Sequence, residues 1–521
     1  MPLLMRIAFV ALGVGLIWPY AALFRAPASG SYHDDGVYLV TARALAEGEG
    51  YRIISLPDEP VQTKYPVLFP FLLSLIWRAF PSFPDNLLWL RTVPLLSTLA
   101  WLYLSWRLIT RCGASRATAL TIVGLTAVSP AVAYFGNTLL TESLFAALLT
   151  GSLLCLVSAL DGGSGRWRMC AFDGLLAGAS FLTRAAGVAV VAAGLAWLLS
   201  RRRWVDAAAF AIAAGALAAP WLWWGAANAS AASDAYHSAS VYGAQGGWNV
   251  VFSYGWREKL AVVGMNIGYV ALTPFSLWGQ QRWLVVPCLL AVPFVIRGLW
   301  LGRAHPVTWC VVGYLAMVCL WVWPPTRLVV PVVPLILWQI GLAIPGRVRV
   351  VAAAVAAAMM VSAAGALCQL AREAPVRVIA WPRHPEHPDG WRQLDALYGW
   401  IRRSTPPDAV LIGDLDPTYF LYTGRKAIRT FEPDGFSSYY DTAAKPGLSG
   451  MAAVFRRRAL AAGAGFWVWS EGPNDSGSHS RLRDEVTRTH PGSLSIAAGD
   501  SESGYAVYRI DRERLERAEG P

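Results

Sequence analysis

The stretch Ser31-Tyr32-His33-Asp34-Asp35-Gly36-Val37-Tyr38 sets two adjacent carboxylates shortly after a long apolar run. Like charges this close raise one of the two pKa values, and partial burial raises it further. One carboxylate of such a pair can serve as a general base. The same residues would also serve as acids capping a helix that begins near Gly36. A second polar stretch, Gln62-Thr63-Lys64-Tyr65-Pro66-Val67-Leu68-Phe69-Pro70, puts a cation directly before an apolar segment. That position suits a lipid phosphate, or plain interfacial anchoring by Lys64 and Tyr65. Three further charges stand at the ends of apolar segments: Glu142 after Thr141, Arg184 in Leu182-Thr183-Arg184, and Arg327 in Pro324-Pro325-Thr326-Arg327. Ionisable groups at membrane depth are functional candidates, although each would also fit a structural ion pair. His384, Glu386 and His387 crowd a proline-rich stretch, but their spacing fits no closed metal-ligand set and reads as a solvated linker. Arg456-Arg457-Arg458 reads as a solvated or headgroup-facing helix surface.

The elements that must hold these residues are membrane helices. Of 521 residues, 55% are hydrophobic and 15% charged, against about 25% charged in soluble domains. Apolar segments near the length needed to cross a bilayer recur up to about residue 368. Lys and Arg outnumber Asp and Glu by 24 to 13 in residues 1–369 and match them at 20 each beyond, so the net charge of +11 belongs to the apolar part. Positive loops on one membrane side explain it. A nucleic-acid surface would need a basic patch on a soluble face. All seven cysteines lie in or beside apolar segments, so the tail carries no disulfide framework or cysteine-based metal site. The N-terminal run could be a signal peptide ending near Ala26-Pro27-Ala28. We read it as a retained helix, because the run is long and a charged motif follows at once.

With Arg6 inside, the positive-inside bias gives helices at about 7–24, 88–106, 117–134, 138–160, 170–183, 186–200, 205–224, 283–296, 307–323, 328–344 and 350–368. Outer loops fall at 26–66 and about 226–260. Every basic cluster between helices then faces the cytoplasm. Residues 66–80 and 261–278 read as juxtamembrane helices at the outer surface; if both span, the count rises from 11 to 13. Residues 1–369 thus form a multi-pass domain with a cytoplasmic N-terminus, and 370–521 a soluble domain outside the cytoplasm. In that tail Trp391–Arg403 has helical periodicity and Gly447–Ala462 reads as a second helix. Ala409–Ile412, Phe466–Trp469 and Tyr505–Ile510 read as strands, giving an α/β domain. No repeat, P-loop or dinucleotide fingerprint is present. On this topology Asp34, Asp35, Lys64, Glu142, Arg184 and Arg327 share the outer face, and arginine there runs against the usual bias. Their convergence favours function over structure.

In this order the motifs resemble those of the GT-C glycosyltransferases that use polyprenyl-phosphate sugars, such as the protein O-mannosyltransferases and the aminoarabinose transferase of lipid A. Asp34-Asp35 with Tyr38 resembles the acidic motif of the family's first outer loop. Lys64-Tyr65-Pro66 resembles its Lys-(Tyr/Pro)-Pro segment, and Leu140-Thr141-Glu142 its Thr-Glu. Phe181-Leu182-Thr183-Arg184 and Thr326-Arg327 with Pro331 and Pro334 resemble two later segments. Trp400-Ile401-Arg402, Pro406-Pro407-Asp408 and Tyr422-Thr423-Gly424-Arg425 resemble the tail of bacterial members. Asp35 stands where many members have Glu, and Gly36 is a less usual neighbour. The resemblance implies an inverting transfer of a sugar from a polyprenyl-phosphate donor to a hydroxyl of a glycan, lipid or protein at the outer face of the plasma (inner) membrane. It implies Asp34 as general base and Asp35 orienting the acceptor or holding a second proton. Lys64, Arg184 and Arg327 would clamp the phosphate and Glu142 would fix an arginine, with Tyr38 and Tyr65 beside them. No nucleotide sugar, cofactor or obligatory metal is implied, and no nucleic acid. A lipid-linked glycan flippase would place polar groups near the membrane midplane. A glycan ligase or polymerase of the same face, and a non-catalytic assembly protein, are the other classes.

Overall fold

The computed structural model describes residues 3–159, 166–229, 255–279, 281–321, 323–377, 390–430, 448–470, 478–500 and 504–517. His384, Glu386 and His387, and most of the expected outer loop 226–260, lie outside the described residues.

The apolar segments form helices. Leu87–Arg111, Trp204–Ala227, Arg282–Leu301, Thr326–Ala343 and Gly346–Glu373 are long and apolar enough to cross a membrane. Arg116–Ala127 and Pro130–Asn137 together make a sixth such span, bent by 66°. Shorter apolar helices, among them Phe9–Phe24, Glu142–Ser158, Ala185–Ser200 and Pro306–Cys319, accompany them. Among the described residues five or six helices therefore meet the test of length and hydropathy, which does not confirm the eleven expected. Large apolar side chains such as Val14, Leu96, Ile212, Leu290 and Val361 lie exposed along these helices, as they do where lipid is the solvent. The chain is a multi-pass membrane protein.

The single helix expected at 117–134 is instead broken. Ser129 caps the second piece by accepting the Val132 N–H, and Pro130 opens its first turn. Proline at that position has no N–H to donate and starts a helix readily. The Ser129 hydroxyl also donates to the Leu277 carbonyl at 2.7 Å, fixing the bend against the helix Trp256–Leu277.

The loop expected at 26–66 holds a helix, Asp34–Glu47, that ends on Gly48 in the left-handed conformation (φ 85°). It packs on Leu68–Ala79, which buries Phe69, Leu73 and Trp77 at helical spacing and leaves Phe71 and Leu75 exposed. A helix with one buried face thus stands within the segment 66–80 where one was expected. The other expected segment, 261–278, is taken up by the 22-residue helix Trp256–Leu277 and its C-cap Trp278. Its Asn266 donates to the Cys319 and Trp321 carbonyls, closing the C-terminal end of Pro306–Cys319.

The tail forms a five-stranded sheet of β1 (Leu411–Ile412), β2 (Ala427–Ile428), β3 (Phe466–Ser470), β4 (Leu494–Asp500) and β5 (Tyr505–Ile510), in the order β2-β1-β3-β5-β4. The first three are mutually parallel, and β5 runs antiparallel to both β3 and β4. Helices Gly390–Ser404 and Leu448–Ala461 match the two expected. Trp467, Trp469 and Phe455 fill the core. Arg456–Arg458 is not wholly solvated: Arg456 donates to the Leu515 and Glu516 carbonyls, and Arg458 is buried.

Candidate active site

Asp34 and Asp35 form the first turn of the helix Asp34–Glu47, whose N-cap is His33 without a side-chain cap, so neither acid caps it as the alternative reading expected, and they point to different surroundings. Asp35 is 1% exposed. Its Oδ2 accepts the Gly30 N–H at 2.8 Å, and its Oδ1 accepts the N–H groups of Tyr32 (2.9 Å) and Gly36 (3.1 Å). It ties the preceding turn to the helix start. Burial pushes its carboxyl up to about 6, against the three backbone donors that favour the ionised form. Asp35 therefore faces the chain's own backbone, where the sequence had suggested a group turned to the acceptor.

Asp34 faces a cluster of charges. Its Oδ1 accepts the Tyr65 hydroxyl at 2.5 Å, and its Oδ2 meets the Arg327 guanidinium at 2.7 Å. Burial raises its carboxyl, but Arg327, Lys64 and the Tyr65 hydroxyl outweigh this and hold it well below the usual carboxylate range. The side chain keeps 24% of its surface exposed, so an incoming group can reach it.

Glu142 is fully buried at the first turn of Glu142–Ser158. Its Oε1 takes both Arg184 (2.6 Å) and Arg327 (2.8 Å). One carboxylate thus aims two guanidiniums at the same place. Arg184 also reaches the Thr141 hydroxyl at 3.4 Å. Arg327 lies over the Tyr32 ring at 5.6 Å, a favourable cation–π arrangement. Its short helix is fixed from behind, since the Tyr314 hydroxyl donates to the Leu328 carbonyl.

Lys64 is half-buried, with its ammonium 5.0 Å from the Tyr65 ring centre. Gln62 shapes this loop by accepting the backbone N–H groups of Lys64 and Tyr65. Tyr38 is buried and meets Tyr65 and Phe69 edge-on at 5.0 and 5.4 Å. It supports the Tyr65 ring by this edge contact. The structure thus gathers Asp34, Lys64, Tyr65, Glu142, Arg184 and Arg327 into one site, with Tyr38 and Asp35 as its support.

Four residues escaped the sequence reading. Tyr32 underlies Arg327. His33, at φ 65°, immediately precedes Asp34 and pairs through Nε2 with Asp416 of the tail at 3.1 Å. Arg91 is buried and donates to the carbonyls of Phe24, Ala26 and Ala28 and to the Ser29 hydroxyl, pinning the chain that leads to Asp34. The criterion that picked out Arg184 and Arg327, arginine at an outer helix end, would also have found it. Asp173 is a buried carboxyl within Arg166–Thr183 and accepts the Ser152 hydroxyl at 2.5 Å, so an ionisable group also lies inside a helix.

No protein-family model matches the chain, and no curated protein does. Solved structures do. ArnT from Cupriavidus metallidurans bound to undecaprenyl phosphate superposes with a TM-score of 0.58 at 14% identity, over 99% of each chain. The oligosaccharyltransferase of Archaeoglobus fulgidus, in complex with zinc and sulfate, superposes with a TM-score of 0.56 at 12% identity, over 97% of this chain and 72% of that one. The archaeal oligosaccharyltransferase AglB, from the same organism with an inhibitory peptide and a dolichol-phosphate, gives a TM-score of 0.53 at 10% identity, over 98% of this chain and 74% of that one. At such identities the likeness is one of fold, and it runs through the membrane helices and the tail alike: over nearly its whole length the chain shares its fold with ArnT and with the archaeal oligosaccharyltransferase.

Proposed function

We propose that the protein is a membrane glycosyltransferase that moves a sugar from a polyprenyl-phosphate donor to an acceptor hydroxyl, with inversion at the anomeric carbon. The observation that carries this reading is the convergence of cations on Asp34. Arg327 pairs with both Asp34 and Glu142, Arg184 shares the same Glu142 oxygen, and the Lys64 charge acts on Asp34. A phosphodiester-linked sugar carries one negative charge, of the kind that guanidinium groups bind well. As the sugar leaves, the phosphate gains a second charge, which the guanidiniums already face; donors set where charge develops lower the barrier. The fold shared with ArnT, solved with undecaprenyl phosphate, supports the choice of donor.

In the reaction the acceptor oxygen bonds to the anomeric carbon while the carbon–oxygen bond to phosphate breaks, and the phosphate keeps the electron pair. Asp34 takes the acceptor proton. Its pairing with Arg327 makes it a weak base at rest. A bound phosphate competes for Arg327, loosens that pair and raises the basicity of Asp34 when a donor is present. Catalysis and donor binding are coupled through one guanidinium. Asp35 acts by fixing the turn rather than by moving a proton. The reading includes a cytoplasmic N-terminus, a multi-pass domain over 1–369 and a tail over 370–521 outside the cytoplasm, at the plasma membrane.

The test is sugar transfer in nanodiscs from radiolabelled polyprenyl-phosphate sugars, with a membrane extract as acceptor and Asp34→Asn alongside. Consumption of one donor, abolished in Asp34→Asn while undecaprenyl phosphate still binds, supports the reading. Folded wild-type protein that neither binds nor consumes any donor overturns it.

A further inference from the structure

The tail does more than hang from the last membrane helix. Its helix Asp416–Thr423 lies against the first-loop helix Asp34–Glu47 and grips the turn that presents Asp34. Three contacts make the grip. Asp416, fully buried, holds His33 Nε2 at 3.1 Å. The Thr418 hydroxyl donates to the Gly30 carbonyl at 2.6 Å. Pro417 packs so close to Gly36 that a Cβ there would stand 3.0 Å from the Pro417 Cβ. Behind these, the Ala427 N–H donates to the Ser55 carbonyl, and Lys426 pairs with Glu59.

His33 is the pivot. Its carbonyl accepts the Val37 N–H at 2.9 Å, the first bond of the helix, so its backbone sets the direction in which Asp34 leaves the turn. Its φ of 65° is a conformation that side-chain-bearing residues adopt only when their surroundings impose it. Asp416 supplies that constraint from 383 residues away. We propose that Asp416, in the C-terminal segment, is a positioning residue for Asp34. It holds the His33 ring, fixes the His33 backbone, and so keeps the Asp34 carboxylate aimed at Arg327 and Tyr65. The inference rests on the transferase reading above and gives the tail a part in the chemistry.

The full chain in nanodiscs tests it, as wild type, Asp416→Ala, Asp416→Asn and Asp34→Asn. Three quantities are measured: transfer from undecaprenyl-phosphate-linked mannose, glucose, galactose and arabinose; binding of undecaprenyl phosphate; and amide exchange over residues 30–41. Misplacing a reacting group by an ångström costs up to about 100-fold. Asp416→Ala is expected to lower kcat by about 10- to 100-fold, with unchanged binding of undecaprenyl phosphate and faster exchange across the turn. Asp416→Asn keeps an oxygen that accepts the His33 N–H and should restore most of the rate. If Asp34→Asn is inactive but Asp416→Ala transfers at the wild-type rate, the positioning role falls and the transferase reading stands. Equal loss of rate, binding and thermal stability in Asp416→Ala, unrelieved in Asp416→Asn, would make Asp416 a fold support and also overturn it. If the wild type consumes no donor, the transferase reading fails, and the positioning role for catalysis fails with it. Amide exchange then still reports whether Asp416 orders the turn.

Discussion

Replacing Glu142 with glutamine removes one charge and almost no volume, yet it acts on two arginines at once. Arg184 and Arg327 both bind the same Oε1, at 2.6 and 2.8 Å, with Glu142 fully buried and the arginines 14% and 24% exposed. At an effective dielectric constant near 20, each contact carries about 6 kcal/mol of Coulomb attraction. Most of this is offset by taking three ions out of water and by repulsion between the two guanidiniums. Removing one partner of a buried pair nevertheless costs about 3–5 kcal/mol, because the other charge stays behind. Arg327 keeps Asp34, whereas Arg184 is left with the Thr141 hydroxyl. The lower end, about 3 kcal/mol, is therefore expected for Glu142→Gln. Thermal unfolding in detergent, followed by tryptophan fluorescence, measures it. Added undecaprenyl phosphate supplies a sharper arm. A phosphate replaces the missing negative charge, so it should raise the melting temperature of Glu142→Gln more than that of the wild type. A variant as stable as wild type, with the same response to undecaprenyl phosphate, would refute the claim that Glu142 balances the pair and that the pair receives an anion.

Three other outcomes follow from the same geometry. Asp35 has a folded pKa of about 6 against an ordinary 3.8, so the stability it contributes is full below about 4 and is lost as pH rises to about 6. The loss is on the order of 3 kcal/mol, and melting curves of Asp35→Asn should lack that slope between pH 4 and 6. Gly36→Ala drives a Cβ against Pro417, Thr418 and the Gly30 carbonyl. Overpacking of this kind costs about 1–3 kcal/mol, and it should appear as a lower melting temperature together with slower transfer. Alkaline phosphatase fused after residue 521 should be active and a green fluorescent protein at the same point dark; the opposite pattern would reverse the proposed orientation.

Much of this protein is legible because the relevant forces are local. Runs of apolar side chains set the membrane helices, and the periodicity of Trp391, Leu394, Tyr398 and Ile401 sets a tail helix that the structure contains. β3 and β5 announce themselves through tryptophan, tyrosine and valine. β2 has two residues, and the edge strand β4 leaves Ile496 exposed; neither carries enough local pattern to be read. Ser129-Pro130 is a local helix start inside an apolar run, and it divides the expected single helix in two. The unusual Gly36 has a reason that no local pattern contains, since the surface it must admit is Pro417.

The sequence by itself determined that the chain is a membrane protein with an α/β tail, and it identified the charged residues that sit where membrane helices end. Helical spacing and the cost of burying charge in lipid act over a few residues and can be read from them. Asp34 and Asp35, however, are chemically alike neighbours, and only the tertiary structure separates them. The turn at Gly30 takes one carboxylate for its backbone donors, while Arg327, 293 residues away, takes the other. The pairing of Glu142 with two arginines and of Asp416 with His33 likewise depends on how distant elements pack, and no local periodicity encodes that.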